Sequence, residues 1–457
     1  MIIHSFINKS NTITRGSEYN YGLHPIAMLT YGGRLSRILL SFSMERILTA
    51  YMDKTIPEGA EVKHVLKMTN CAAINNNPYK DTKRATSFTV YAFAIPQPWD
   101  EGVGFDDAND FWLTGEASLS KDGSTWSKAE NAVKWAKNGA VGDLTTAIEA
   151  YEQSGDTSVV VGKQHFDHGD ENLAIDITEY VNNIINSAIN NDYVHYGIGL
   201  AFQTDLEGVK DIDVNYVGFF TNKTNTFYKP FVETTIEQDI SDDRYSFYLD
   251  KPNKLYFVAK VGENYVNLDE LPVCTIDDTS CEVVQESKGI YSVSLTLSST
   301  VYQPQTILYD VWSNIILDGM DMGEVEQKFV TLPRQMFFTF GEDEKPKNEL
   351  YPVVTGINDK QDLPMGDKRT VKVAFKVPFT HSNYKVVKDA WYRICVKDGE
   401  YEQIYNDWQK MPSLGLNNFF TIDTEDFAVG TYCVDVKLET DEIKKTFKRM
   451  LTFNVTP

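Results

Sequence analysis

Residues 430–438 read Gly-Thr-Tyr-Cys-Val-Asp-Val-Lys-Leu, and residues 289–297 read Gly-Ile-Tyr-Ser-Val-Ser-Leu-Thr-Leu. In each stretch apolar and polar side chains alternate with a period of two, the pattern of a strand with one face buried. Each follows a Thr-Ile-Asp tripeptide, at 275–277 and at 421–423, and each is followed later by a strand running into proline, KFVTLP at 328–333 and TFNVTP at 452–457. The spacing is too long for a solenoid repeat. It predicts two tandem copies of one small β-domain.

Other alternating runs lie around these two. Lys254–Val261, Ile290–Leu297, Ile307–Trp312, Thr370–Val377 and Ala390–Lys397 recur between turn-forming segments. Short strands at such intervals are the mark of a β-sandwich. The Gly-x-Tyr element resembles the tyrosine corner of immunoglobulin-like domains, although Tyr432 directly precedes Cys433 instead of standing two residues before it. The resemblance implies the sandwich and nothing about antigen binding.

Two polar runs divide the chain. EQDISDD at 237–243 and GEDEKPKNELYP at 341–352 read as linkers. The expected organisation is a first domain over 1–238 and immunoglobulin-like domains over 239–343 and 344–457. The length, 457 residues, suits about three domains at roughly 150 residues each.

The first domain reads as strands at Arg37–Phe42, Glu61–Met68, Phe88–Phe93, Gly197–Phe202 and Val217–Phe220, interrupted by helices. Ser127–Trp135 reads as a short amphipathic helix. Ile177–Ile189 is a clearer one, since Ile177, Val181, Ile184, Ile185 and Ala188 share one face, with Asp176 and Glu179 as a capping pair. The fold class expected is all-β: a jelly-roll sandwich with a few inserted helices, then two immunoglobulin-like sandwiches.

Residues 1–238 also carry an ordered series of short elements: Asn20-Tyr-Gly22, RLSRILLSF at 34–42, Ile56–Val62, Trp99-Asp-Glu101, Asp176-Ile-Thr178, Tyr196–Gly199 and Lys229-Pro230. In this order they resemble the jelly-roll modules known as DNRLRE or disaggregatase-related domains, which are similar to carbohydrate-binding modules. The resemblance implies a binding or structural unit. A jelly roll followed by tandem immunoglobulin-like domains, with TILYDVWSNIILDG at 306–319, also resembles structural proteins of tailed-phage virions: tail hubs, collar rings and head fibres.

Charge and motifs narrow the function classes. There are 43 Lys and Arg against 65 Asp and Glu, a net charge of −22. No basic stripe with interleaved aromatics is present for a phosphate backbone, so no nucleic-acid partner is expected. No stretch approaches the apolar length of a membrane span, and the N-terminus lacks the pattern of a secretory leader. Synthesis in a host cytoplasm follows as the expectation.

The five cysteines, at 71, 274, 281, 395 and 433, match no zinc pattern. Strand alternation places Cys395 with Arg393 and Lys397, and Cys433 with Asp435 and Lys437, so both are expected to face outward and an inter-sheet disulfide is not.

Three places hold chemistry-bearing side chains. His165-Phe-Asp-His-Gly-Asp-Glu171 suits a metal ion or a solvated loop. Asp100, Glu101, Asp106 and Asp107 suit calcium, a carboxylate pair or plain loop acid. Trp99, Trp112, Trp126 and Trp135 suit a sugar-stacking row or core packing. No nucleophile elbow, zincin, Walker or dinucleotide motif occurs, so no catalytic residue, cofactor or resident metal is assigned. The expectation is a non-enzymatic virion protein that forms homo-oligomers and binds other virion proteins of tail, collar or capsid. A carbohydrate-binding adhesin, with glycan as partner, is the alternative.

Overall fold

The computed structural model of the chain describes residues 2–57, 59–71, 82–105, 120–189, 195–210, 213–237, 239–333, 350–377, 384–398, 401–439 and 444–457. Asp106, Asp107, Trp112 and most of the 341–352 run lie outside them. The chain is nearly all β and divides into two compact units. One comprises residues 2–48 and 62–235; the other comprises 49–61 and 236–457.

The first unit is built on one long strand, Ile2–Thr14. Its register shifts between Ile7 and Lys9, a β-bulge that bends the strand. From Ile2 to Phe6 it pairs antiparallel with Phe231–Ile236, and from Ile7 onward, across the bulge, with Ser36–Phe42. The sheet continues on one side through Ile198–Phe202, Phe88–Ala94 and Val160–Phe166. On the other it runs through Val62–Met68 and Leu173–Asp176. A second sheet, formed by Ile26–Gly32, Val214–Phe220 and Thr82–Arg84, completes the jelly-roll sandwich. Phe88, Phe166, Phe202 and Phe219 are fully buried in contact with one another.

The helix read at 177–189 spans Thr178–Ile189 and packs on strand Val62–Met68. Ile177 and Val181 are wholly buried and Ile184 and Ile185 nearly so, while Asn183 is exposed. Asp176 Oδ1 accepts the Thr178 amide at 3.0 Å, which satisfies one of the free N–H groups at the helix start.

Ser127–Trp135 is not a helix. Ala129 N donates to Val133 O at 2.8 Å and Lys128 bridges Lys134, which closes a tight loop. Burial of both Ala129 and Trp135, with the Trp135 indole bonded back to Thr125 O at 2.8 Å, outweighs the weak helical period. Helices at Glu45–Met52 and Thr145–Ser154 are further elements that the sequence reading did not identify.

The second unit holds two sandwiches. In the first, Phe247–Tyr248, Val325–Leu332, Ile307–Ser313, Val273–Ile276 and Thr279–Cys281 form one sheet; Asn253–Val258, Ile290–Leu295 and Val283–Ser287 form the other. Trp312, Phe329, Phe247 and Tyr291 fill the space between them. In the second, Tyr351–Thr355, Lys368–Lys376, Asn417–Asp423 and Ser413–Leu414 face a sheet of Gln361–Pro364, Lys444–Thr456, Gly430–Glu439, Ala390–Asp398 and Tyr401–Ile404. Both arrangements are immunoglobulin-like. Tyr432 donates its hydroxyl to Ala428 O at 2.8 Å, as a tyrosine corner does.

Two expectations are corrected here. Strand Ile290–Leu295 lies in the three-stranded sheet, away from Val325–Leu332, whereas Gly430–Glu439 pairs directly with the closing strand Lys444–Thr456. The two matching sequences therefore occupy different strands of their sandwiches. Cys395 and Cys433 are buried, at 2% and 1% exposure, and stand opposite each other on neighbouring strands of one sheet. They do not face water, and they form no disulfide.

Residues 49–61 belong to this unit by direct bonds. Lys288 Nζ lies 2.7 Å from Asp53 Oδ2, Asn267 Nδ2 donates to Asp53 O at 2.8 Å, and Lys288 N donates to Lys54 O at 2.9 Å.

Candidate functional site: the junction of the two immunoglobulin-like sandwiches

The run EQDISDD reads as a linker, and in the structure nearly every described residue of it is engaged. Ser413 N donates to Ile240 O and Asp242 N to Ser413 O, both at 2.9 Å, so the linker forms a one-residue parallel bridge with the second sandwich. Lys410 Nζ lies 2.8 Å from Asp239 and 3.2 Å from Asp389. Lys388 is bonded to Asp243, whose second oxygen accepts Lys254 N at 2.7 Å. Ile240 itself is buried against Tyr256 and Ile290 of the first sandwich, with Leu414 of the second packed beside them.

Arg244 follows, and its guanidinium is buried. It bonds both carboxylate oxygens of Asp310, with Nη2 at 3.0 Å from Oδ2, and Nη2 also donates to Tyr256 O at 3.2 Å. Nε reaches Asp242 Oδ2 at 3.4 Å. Trp312 Nε1 donates to Asp310 Oδ2 at 2.7 Å. Asp310 is fully buried and thus carries both an arginine fork and an indole. Asp242 has the weaker share of the cation, and burial pushes its carboxyl up to about 6 against the pull of Arg244.

A cleft of about 660 Å³ opens beside this cluster. Asp242, Arg244 and Tyr245 form one wall, Phe257, Leu268 and Ile315 another, and Leu414 and Gly415 belong to the second sandwich. Among the described lining residues there is no histidine, serine or cysteine. Its ionisable lining residues are Asp242, Arg244, Tyr245, Tyr256 and Lys260.

The sites read from the sequence lie elsewhere. Glu101 is a clamp: Oε1 accepts Ser10 N at 2.8 Å, and Oε2 lies 2.8 Å from Lys223 Nζ. Asp100 caps Gly102 N at 3.2 Å. Asn20, between them and the first strand, donates to Glu101 O and Ser124 O and accepts from Gly22 N and Gly104 N, all within 3.0 Å. Glu171 turns into its own loop and accepts the amides of Asp167, His168 and Gly169 at 2.7–2.8 Å. Burial works to raise its pKa, but those amides prevail and hold it at about 2. His165 and Asp167 are exposed, 3.5 Å apart. Among the described residues no three ligating side chains converge on a metal position.

Trp99 and Trp135 are buried, with Trp99 Nε1 bonded to Tyr196 O at 2.7 Å. Trp126 packs on the same core and stacks with Arg15 and Arg37, each 5.2 Å from its ring. The described members of the tryptophan group form packing and no exposed row. The Arg244 cluster was not read from the sequence. Its one linear signal is an arginine just after a run of acids, matched by Asp310-Val-Trp312 in a strand.

No family model matches the chain, and no curated protein matches its sequence. Solved structures with related strand arrangements include an adhesin of Yersinia pseudotuberculosis, InvE (11% identity, TM-score 0.17, 47% of this chain and 56% of that one). This chain thus spans little more than half the length of that adhesin. The titin immunoglobulin tandem A164-A165 gives 9% identity and TM-score 0.15 over 49% of this chain and 96% of its own. The Escherichia coli adhesin FdeC gives 9% and 0.16 over 53% and 77%. No functional statement passes through likenesses of this size.

Proposed function

We propose that the protein is a non-catalytic structural component of a tailed-phage virion, made in the host cytoplasm and built into the tail, as hub or collar ring, or into a head appendage. The observation that carries this reading is the closed junction at Ile240–Arg244. A flexible tether between sandwiches would leave its polar groups to water. Here the linker is bridged to one sandwich and its arginine is buried in the other. Fixing the spacing and angle of two rigid domains is what a scaffold requires.

The first sandwich also presents side chains for assembly. Val273, Ile307 and Tyr309 are exposed on the outer face of its five-stranded sheet. Symmetry lets one modest face be used many times, so no single patch need be large. In this reading the jelly roll, of the disaggregatase-related type, serves as a further rigid module, and the partners are copies of the chain and other virion proteins.

Mass spectrometry of gradient-purified particles is the test. The chain is expected at a fixed stoichiometry to the major capsid protein. Its absence from particles, together with saturable binding of the full chain on a glycan array, would replace this reading with that of a carbohydrate-binding adhesin.

A further inference from the structure

Each immunoglobulin-like sandwich holds two cysteines directly opposite one another on adjacent antiparallel strands: Cys274 faces Cys281, and Cys395 faces Cys433. Opposed residues of an antiparallel pair have Cα atoms about 4.5–5.5 Å apart. A disulfide spans Cα separations of about 4.4–6.8 Å. Neither pair is bridged. Each could close with little backbone movement.

The two pairs differ in access. Cys395 and Cys433 are buried, beside the Arg393–Asp435 ion pair. Cys274 is fully buried too, but Cys281 is partly exposed on Thr279–Cys281, the edge strand of its sheet. Cys281 Sγ donates to Thr279 O at 3.8 Å, and the neighbouring thiols act on each other so that the thiolate is favoured at Cys281 and disfavoured at Cys274. The more accessible residue of the pair is therefore also the one whose thiolate is favoured.

We propose that Cys274 and Cys281 form a dithiol modification site that low-molecular-weight disulfides such as oxidised glutathione convert into an intramolecular bridge. The Cys281 thiolate attacks one sulfur of the small disulfide and expels a first small thiolate, leaving a mixed disulfide. Cys274, releasing its proton, then attacks the Cys281 sulfur and expels the second. Two protein thiols become one disulfide, and one small disulfide becomes two thiols, which carry the protons. The bridge staples an edge strand to its neighbour. The inference stands independently of the virion reading.

The folded full-length chain is treated with oxidised glutathione, quenched in acid, alkylated under denaturing conditions and mapped by peptide mass spectrometry. The expected product links Cys274 to Cys281, while Cys71, Cys395 and Cys433 are recovered alkylated. Dithiothreitol reverses it. Cys274→Ser should trap glutathione on Cys281 as a stable adduct, and Cys281→Ser should leave Cys274 unmodified. A stable glutathione adduct at Cys281 in the unsubstituted chain would overturn the proposal. So would an unreactive Cys281, or oxidation of the Cys395–Cys433 pair in preference to it.

Discussion

Arg244 and Asp310, 66 residues apart in sequence, form a buried two-pronged ion pair, with Nη2 at 3.0 Å from Oδ2. Asp310 is wholly buried, and Arg244 is nearly so at the edge of the cleft. Truncating the cation leaves two buried carboxylates, Asp310 and Asp242, facing each other's field.

Arg244→Met is therefore expected to lower stability by about 3–5 kcal/mol, the usual cost of breaking a buried pair from one side. Adding Asp310→Leu should recover part of the loss, although Trp312 then loses its acceptor. Urea midpoints of the three proteins measure this. A single variant with an unchanged midpoint would show that the pair contributes no net stability.

Acid sensitivity should come from buried imidazoles. His64 is wholly buried and burial lowers its pKa to about 4; His195 behaves alike. A depressed histidine pKa means that the unfolded chain binds the proton first. Stability from each group is fully present above pH 6.5 and is lost as pH falls from there towards 4. For His64 the loss between pH 7 and 4.5 is about 2.5 kcal/mol at roughly 1.4 kcal/mol per unit. Asp242, raised from 3.8 to about 6, acts in the opposite sense, adding stability as pH falls through 6. His64→Asn, which keeps an acceptor near Thr234 Oγ1, should flatten the acid limb of the stability–pH curve. An unchanged slope would mean that His64 is not a source of it.

Ile184→Asp places an unpaired charge in the buried face of helix Thr178–Ile189 and should cost on the order of 3 kcal/mol or more. Asn183→Asp, one residue earlier and exposed, should be near neutral. Thermal melts that shift equally for both would contradict the assigned face.

Asn20→Asp changes few atoms and much chemistry. The amide gives two hydrogens to Glu101 O and Ser124 O; a carboxylate has none to give and sets a charge against two carbonyls. A loss of about 2–3 kcal/mol is expected. Asn20→Ala leaves the same groups unpaired without adding charge, so it should be less severe. The ranking of the two melts checks the argument.

The Thr178–Ile189 helix was legible because five apolar positions agree on one face. The cysteines at 395 and 433 were half legible. A period of two tells correctly that they point away from Ile394 and Val434, but it does not tell whether that side is wet. Here Arg393 lies on Trp408, 4.7 Å from its ring, and Lys437 on Trp391 at 4.4 Å. Long charged side chains laid flat cover that side of the sheet, and Arg393 is held there by the buried Asp435 at 2.9 Å. Strand Ile2–Thr14 was missed because Ser10, Asn11 and Thr12 look like loop; they are buried, with Asn11 bonded to Ser124 at 2.8 Å. The junction was missed for a related reason. Composition marks EQDISDD as polar, and a polar run with a partner for each aspartate has the same composition as one with none.

The bond between Asp53 and Lys288 has a consequence for the order of biosynthesis. The two residues are 235 positions apart, and residues 49–61 complete a unit whose remaining parts begin at Ile236. At about 5–20 residues per second the segment leaves the ribosome roughly 12–50 s before Lys288 is translated. During that interval Asn267 and Lys288, which bond it in the finished protein, do not yet exist. Vectorial folding of this chain therefore cannot proceed strictly domain by domain, because residues 49–61 are made before the body of the unit to which they belong.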